Sequence, residues 1–348
     1  MAYLYGRNDR FYVAKQVTYT TIRHTDGTAS LAAADACRHR TFTATPSRGR
    51  LEPTYKEATT NLVYIDQTRA GRMSGTATVT MPLFSASGVD APPDCGPILE
   101  SAFGLQTINA GVNVQYTRLP TGLVTCELWG FNAGAQRGVC AFGSLVNRLT
   151  LTGGQDSADI SADFLCYNVL TQDRFGSASA AEKGGLIAWP TEPASQTYTG
   201  SELTGFTGTF TADGQAYTTL RNFTVTMNMN RQYDIERFAA DGTEYFPQNP
   251  FELMPEILLD FSMWSTDVAA FNTLLGKIAN RTAFDATIVL GASANGIYTI
   301  ALNNLIIPDD REGFTHEDGD DRKVINVTGL RAQATSTAVK DEIVITKT

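Results

Sequence analysis

The chain contains the same succession of elements twice, and this duplication restricts the folds that it can adopt. In the first copy, a strand at 75–81 (GTATVTM) precedes a helix at 94–103, and GSLVNRLTLTG and SADISADF supply the closing strands. In the second copy, a strand at 256–264 (EILLDFSMW) precedes a helix at 267–280, and YTIALNNLIIPD and KVINVTGL close the unit. Each unit comprises an alternating strand, a loop, one helix, a β-hairpin and a strand pair. A tandem sheet-and-helix module favours assembly over catalysis.

Local signals set the expected boundaries within each unit. The apolar residues of both helices fall on one stripe, Asp94 is placed to N-cap the first helix, and Gly104 is placed to end it. The run Pro120-Thr121-Gly122 predicts a hairpin between VNVQYTRL and LVTCELWGF. Further hairpins are expected at Gly153-Gly154 and at the loop ASANG. The units are therefore predicted to be mainly β, with one helix each.

Length and composition place two domains in the chain. Its 348 residues, with 43% hydrophobic residues and 30 glycines, suit a loop-rich protein dominated by strands. We expect a first domain at 1–175, with an N-terminal arm and a loop at 40–60, and a second domain at 206–348. Between them, 176–205 is dense in Ser, Gly, Ala, Pro and Thr and is expected to be a linker. Neither a membrane-length apolar run nor a signal-peptide pattern is evident, so synthesis in the cytoplasm is expected.

Charge is distributed unevenly along the chain. Residues 1–72 carry 11 Lys and Arg against 6 Asp and Glu, whereas residues 201–348 carry 11 against 20. The middle segment, 73–200, carries 5 against 10. An acidic body with a basic N-terminal arm suits attraction between neighbouring copies, although chance would also produce such a split. It does not suit a protein that grips DNA, because phosphate binding requires a concentrated cationic face.

Catalytic patterns are absent from the sequence. The histidines are His24, His39 and His316, and no nucleophile elbow, zinc-protease, P-loop or dinucleotide motif occurs in a fitting context. Asp159 and Asp163 share one strand face, but with no basic partner nearby in the sequence they indicate a solvated face. The acidic run at 309–321 lacks the order of a calcium loop. We therefore expect no enzyme activity, no cofactor and no metal site.

One part of the chain resembles a known family. The series GTATVTMPLFSASGVDAPPDCGPILESAFG, followed by CAFGSLVNRLTLTGGQDSADISADF, resembles the tail tube proteins of long-tailed bacteriophages, and the ending VTGLRAQATSTAVKDEIVITKT is similar to their last strands. Recognisable sequence similarity covers about 80 residues. The resemblance implies two sheets packed orthogonally around a helix, with subunits joined edge to edge into a ring-shaped β-barrel. A chain with two such domains would form a homotrimeric ring with pseudo-sixfold symmetry.

The resemblance also implies a location and partners. Rings would stack into the virion tail tube, a conduit for DNA ejection, and would meet the tail terminator, tape measure and distal tail proteins. DNA would pass without sequence-specific binding, and no membrane is involved. The polar strand faces provide the candidate lumen residues: Thr76, Thr78, Thr80, Asp159, Asp163, Asn222, Thr224, Thr226, Asn228, Glu256 and Asp260. The 47–61 arm provides the candidate contacts between rings: Arg48, Arg50 and Lys56.

Two other classes share the high strand content. A capsid decoration protein, or a β-sandwich that binds a receptor or glycan, would also be rich in strands. A carbohydrate-active enzyme would need paired carboxylates in an aromatic cleft. Trp129 and Trp264 lie in predicted strands, however, where packing within the sheet or core is the simpler interpretation.

Overall fold

The computed structural model describes residues 9–51, 69–119, 121–132, 137–154, 157–203, 209–234, 248–265, 269–291, 296–308, 314–318, 323–336 and 340–348. The protein is mainly β, with antiparallel sheets and few helices. No helix in the described ranges is long and apolar enough to span a membrane.

The first half of the chain contains twelve strands and two helices within the described ranges. They are β1 (Asp9–Lys15), β2 (His24–Thr25), β3 (Thr28–Ala29), β4 (Ala36–Cys37), β5 (Thr41–Leu51), β6 (Arg69–Pro82), α1 (Gly96–Phe103), β7 (Gly104–Asn109), β8 (Asn113–Arg118), β9 (Cys126–Asn132), β10 (Arg137–Gly153), β11 (Ala158–Cys166), β12 (Asn168–Thr171) and α2 (Gln172–Phe175). A short 3₁₀ turn spans Ala33–Asp35.

The second half repeats this plan with eleven described strands and one helix. They are β13 (Phe210–Ala212), β14 (Gln215–Tyr217), β15 (Leu220–Asn228), β16 (Arg231–Asp234), β17 (Gln248–Glu252), β18 (Glu256–Trp264), α3 (Ala269–Ala279), β19 (Phe284–Leu290), β20 (Tyr298–Leu305), β21 (Phe314–Asp318), β22 (Lys323–Arg331) and β23 (Ile343–Lys347).

Both units contribute strands to the same two sheets. The larger sheet has a continuous path in the order β21-β22-β18-β15-β10-β11-β6-β5, and the N-terminal half of β10 also pairs with β9 and β12. The second sheet has the order β14-β13-β19-β20-β23-β8-β7. One hydrophobic core runs from α1 to α3 between these sheets and includes residues of both units, such as Phe164 and Phe261. The limits 1–175 and 206–348 remain predictions, but the units share sheets and core.

Several local predictions are confirmed. The strand at 256–264 has the predicted bounds, and β10 pairs with β11, as β19 does with β20. Gly104 ends α1 with a φ of 88°, in the left-handed region where glycine is favoured. Its backbone also passes close to the Leu119 and Gly122 carbonyls, so a Cβ at this position would lie 2.4 Å from the Leu119 oxygen.

Other predictions are wrong. Strands β8 and β9 do not form a hairpin, because β8 pairs with β7 and β23 while β9 pairs with β1 and β10. Strand β9 is buried on both faces, with Leu128 in one hydrophobic cluster and Trp129 in another. In the second unit, β20 lies in the second sheet, so β21 and β22, rather than β20 and β22, correspond to β10 and β11.

The predicted N-cap is also wrong. Cys95 occupies the N-cap position of α1, and it makes no side-chain capping hydrogen bond. The Asp94 carboxylate instead accepts a hydrogen bond from the Thr199 hydroxyl at 2.6 Å and pairs with Arg38 at 3.2 Å. Thr199 and Arg38 therefore bind the Asp94 carboxylate, which the local sequence pattern had predicted to cap α1. The contact also fixes part of the predicted linker to the first unit.

The predicted linker packs against the first unit over its described residues, 176–203. Trp189 lies edge-on to Trp129, with ring centroids 5.4 Å apart. Glu192 accepts hydrogen bonds from Arg10 at 3.1 Å and from the Tyr12 hydroxyl at 2.9 Å. This segment is therefore a strap across the surface that joins β12 to β13.

Candidate functional site: a polar sheet face shared by both units

The larger sheet has one buried face and one polar face, and the polar face continues across both units. Alternation turns apolar side chains of β6, β11, β10, β15 and β18 into the core and leaves their neighbours on the opposite side. Because directly paired residues lie on the same side of a sheet, the strand register defines three rows across this face. The rows are Thr43-Thr78-Asp163-Arg148-Asn228-Glu256, Thr41-Thr80-Ser161-Thr150-Thr226-Leu258-Arg331 and Asp159-Thr152-Thr224-Asp260.

The structure places all eleven candidate lumen residues on this one face. Nine of them belong to the rows; Thr76 pairs with Thr45 on β5, and Asn222 pairs with Ser262 on β18. Thr76 and Asn222 are exposed and Thr226 is buried; the other eight are partly exposed. The strand register therefore brings candidates from β6, β11, β15 and β18 onto one face.

Hydrogen bonds and ion pairs hold several of these side chains in place. The Thr78 hydroxyl donates to Asp163 at 2.9 Å, and the Ser262 hydroxyl donates to Asn222 at 2.7 Å. Asp260 accepts from the Gly329 backbone N–H at 2.5 Å, beside an irregularity in the pairing of β18 with β22. These contacts restrain the side chains parallel to the sheet surface.

Basic side chains also lie on this face. Arg148 is exposed and lies between Asp163 and Asn228 in its row, and Arg331 ends the adjacent row. Arg40 pairs with Asp159 at 2.9 Å. The described acidic side chains of the face are thus largely balanced by basic ones, and short threonines cover much of the remaining surface.

The joint between the units is an ordinary antiparallel strand pair. Residues 148–153 of β10 pair with 228–223 of β15, and Thr150 lies opposite Thr226. Phe223 packs over Gly153, where a Cβ would lie 2.2 Å from the ring. The sheet therefore passes from one unit to the next without a break in its hydrogen-bonded ladder.

Strand register also aligns the two units residue by residue. Thr80 pairs with Thr41 on one side and Ser161 on the other, and Ser262 pairs in the same way with Asn222 and Asn326. This alignment superposes RTFTATPSRGR (40–50) on RNFTVTMNMNR (221–231), with five of eleven residues identical. The sequence analysis missed this repeat, although the shared R-x-F-T-x-T-x₄-R pattern was visible in the sequence.

The last arginine of the second repeat is buried at the boundary between the units. Arg231 donates to the carbonyl oxygens of Ala102 at 3.0 Å and Val146 at 2.9 Å, and also to that of Ser101. Its Nε lies 2.9 Å from Glu252 Oε2. The hairpin β16–β17 of the second unit is thereby fixed to the C-terminal end of α1 in the first.

A second arginine extends this buried network. Arg118 on β8 pairs with the other oxygen of Glu252 at 3.1 Å and with Glu342, which precedes β23. Arg118 and Glu252 have side-chain exposures of 5% and 4%. The buried Glu252 carboxylate thus pairs with two guanidinium groups, and Arg118 has Glu342 as a second partner.

The predicted contacts between rings divide into two groups. Arg48 and Arg50 belong to strand β5, whose pairing with β6 shifts register between them, so this part of the 47–61 arm is strand rather than loop. Lys56 lies outside the described residues, as do the rest of the arm from 52 to 61 and the acidic positions 309–313 and 319–322.

Two tryptophans bear on the glycan-binding alternative. Trp129 is fully buried, as expected. Trp264 is partly exposed at the end of β18, and the Arg221 guanidinium lies 4.6 Å from its ring centroid. Strand alternation places Trp264 on the polar face of the sheet beside Arg221, so of the two predicted alternatives, sheet or core, it packs on the sheet.

Among the described residues, no group of three or more His, Cys, Asp and Glu is arranged to hold a metal ion. No protein-family model matches the chain, and no curated protein matches it either.

Proposed function

We propose that this protein is a structural subunit of a long-tailed bacteriophage tail tube. Its chains join edge to edge into homotrimeric rings, the rings stack, and the tube conducts DNA from the capsid into the host. The observation that carries the proposal is the polar face that crosses the β10–β15 joint without interruption. A unit that already extends its sheet into the next unit can extend it into the next chain by the same pairing.

Free sheet edges support a polymeric state. Among the described residues, β5 and β21 end the continuous path of the larger sheet, and exposed residues of β5 include Thr41, Thr43 and Thr45. Unpaired edges promote association, and a closed ring would pair these two. The terminator, tape measure and distal tail proteins would then be the partners at the ends and inside of such a tube.

The polar face suits the passage of DNA. Strong phosphate binding requires a net cationic surface, whereas Arg40, Arg148 and Arg331 lie among four carboxylates on this face. Its threonines are short and uncharged. In the tube, the face would line the lumen and would neither grip the DNA backbone nor repel it strongly.

Electron microscopy of the purified protein tests the proposal. Negative staining across a range of protein concentrations is expected to show hollow tubes of uniform diameter, or rings that stack. A chain that stays monomeric at every concentration, or forms only irregular aggregates, would contradict the proposal. A glycan-array screen provides the contrast with the receptor-binding alternative.

Charge reversal on the proposed lumen tests its role. The double substitution Asp159→Lys and Asp163→Lys should leave assembly intact, because both side chains are partly exposed, but should make the tube retain duplex DNA and slow its release. DNA retention measured at about 50 and 200 mM salt should show stronger binding that weakens as salt rises. The control is Asp173→Lys on α2, an exposed position outside this face. Equal DNA retention by the double variant and the control would remove both aspartates from the lumen.

A further inference from the structure

The aligned repeats carry an inference about how one chain meets the next. We infer that β21 of one chain pairs with β5 of its neighbour, with Thr315 opposite Thr45. The partner is a second copy of this chain. The inference deepens the proposed function and rests on it for the ring geometry.

The register follows from the joint within the chain. The hairpins β10–β11 and β21–β22 close with equivalent pairs, Gly153 with Ala158 and Asp318 with Lys323. Residues 314–318 therefore correspond to 149–153, while 41–47 of β5 correspond to 222–228 of β15. Because Thr150 pairs with Thr226, the same joint between chains pairs Thr315 with Thr45. Both threonines are exposed in the single chain.

The charges near the two edges favour pairing of β5 with β21 over pairing of either strand with its own copy. The segment 38–50 around β5 contains four arginines and no acidic residue, whereas 309–321 around β21 contains seven acidic residues and one arginine. Opposite charges therefore flank the two edges. Like charges would meet if β5 paired with β5 or β21 with β21, and such juxtaposition disfavours the wrong joint.

Cysteine cross-linking tests the register. Directly opposed strand residues are about 4.5 to 5.5 Å apart at Cα, within reach of a disulfide, whereas positions two residues out of register are about 7 to 8 Å apart. A mixture of Thr45→Cys and Thr315→Cys chains should form disulfide-linked dimers on mild oxidation, and the double variant should form higher species that end at a closed ring. The control mixture, Thr43→Cys with Thr315→Cys, should cross-link at least tenfold less.

Equal cross-linking of the two cysteine mixtures would overturn the register.

These outcomes are separable from the proposed function. Tubes in the microscope without the Thr45–Thr315 cross-link would overturn this joint and leave the tube intact. Cross-linked closed rings that never stack would support the joint and count against the tube.

Discussion

Replacement of Glu252 by glutamine is expected to lower the free energy of unfolding by about 3 to 5 kcal/mol. Glu252 is buried and accepts from both Arg231 and Arg118, at 2.9 and 3.1 Å. Glutamine keeps the size of the side chain but removes its charge, so two buried guanidinium groups lose their shared counter-ion. Breaking a buried ion pair on one side leaves a desolvated charge, and that cost exceeds the worth of the pair itself.

Urea unfolding of the unassembled chain measures this effect. The matched control is Asp213→Asn, which breaks the more exposed pair between Asp213 and Lys277, 2.6 Å apart. That control should cost less than about 1 kcal/mol, because solvent screens exposed pairs. A Glu252→Gln chain within 1 kcal/mol of wild type would mean that the network does not hold the units together.

Replacement of Glu127 by glutamine is expected to stabilise the protein at pH 8 by up to about 3 kcal/mol and to change little at pH 4. Glu127 lies on β9 with no exposed surface, where its Oε2 accepts from the Arg23 backbone N–H at 2.8 Å. Burial raises the pKa of this carboxyl from 4.5 to about 7, and Arg23 offsets only part of that effect. Its other oxygen is 3.8 Å from Arg23 Nε, too far for a hydrogen bond.

The sign follows from which state binds the proton more tightly. The folded pKa of Glu127 is higher than the unfolded one, so the contribution of this group to stability is largest below pH 4.5. It declines as the pH rises from 4.5 towards 7 and then stays constant. The glutamine variant has no buried charge at this position, so the loss of stability between pH 4.5 and 7 should disappear.

Urea unfolding at pH 4 and pH 8 measures the difference. Glu202→Gln, at an exposed carboxyl, is the control and should give the same small change at both pH values. If Glu127→Gln shifted stability equally at the two pH values, the pKa of Glu127 would be the same in the folded and unfolded states.

Local periodicity was sufficient for most strands and both long helices, because alternation and the helical stripe are properties of short segments. Pairing across the sheet was less predictable. A turn signal at Pro120-Thr121-Gly122 marks a change of chain direction, but it does not encode which strand will be the neighbour. Apolar residues on both faces of β9 indicated only that both faces would be covered, as they are by two separate hydrophobic clusters.

The candidate face could be proposed in part from the sequence. Each strand reveals its own polar side, yet only register shows that Thr78, Asp163 and Arg148 lie in one row. Buried charge was harder to predict, since Arg118, Arg231 and Glu252 are far apart in sequence and none belongs to a motif. The matching segments at 40–50 and 221–231 were the one available signal, and low identity elsewhere concealed them.

The continuous path of the larger sheet contains eight strands, all antiparallel, and an even number has a consequence for assembly. Strands β5 and β21 run in opposite directions, so antiparallel pairing between them keeps every chain in the same orientation. A tube built by the proposed joint would therefore be polar, with two chemically different mouths. The tube would then grow and stop growing at ends that present different surfaces. A capping protein that fits one end could not fit the other.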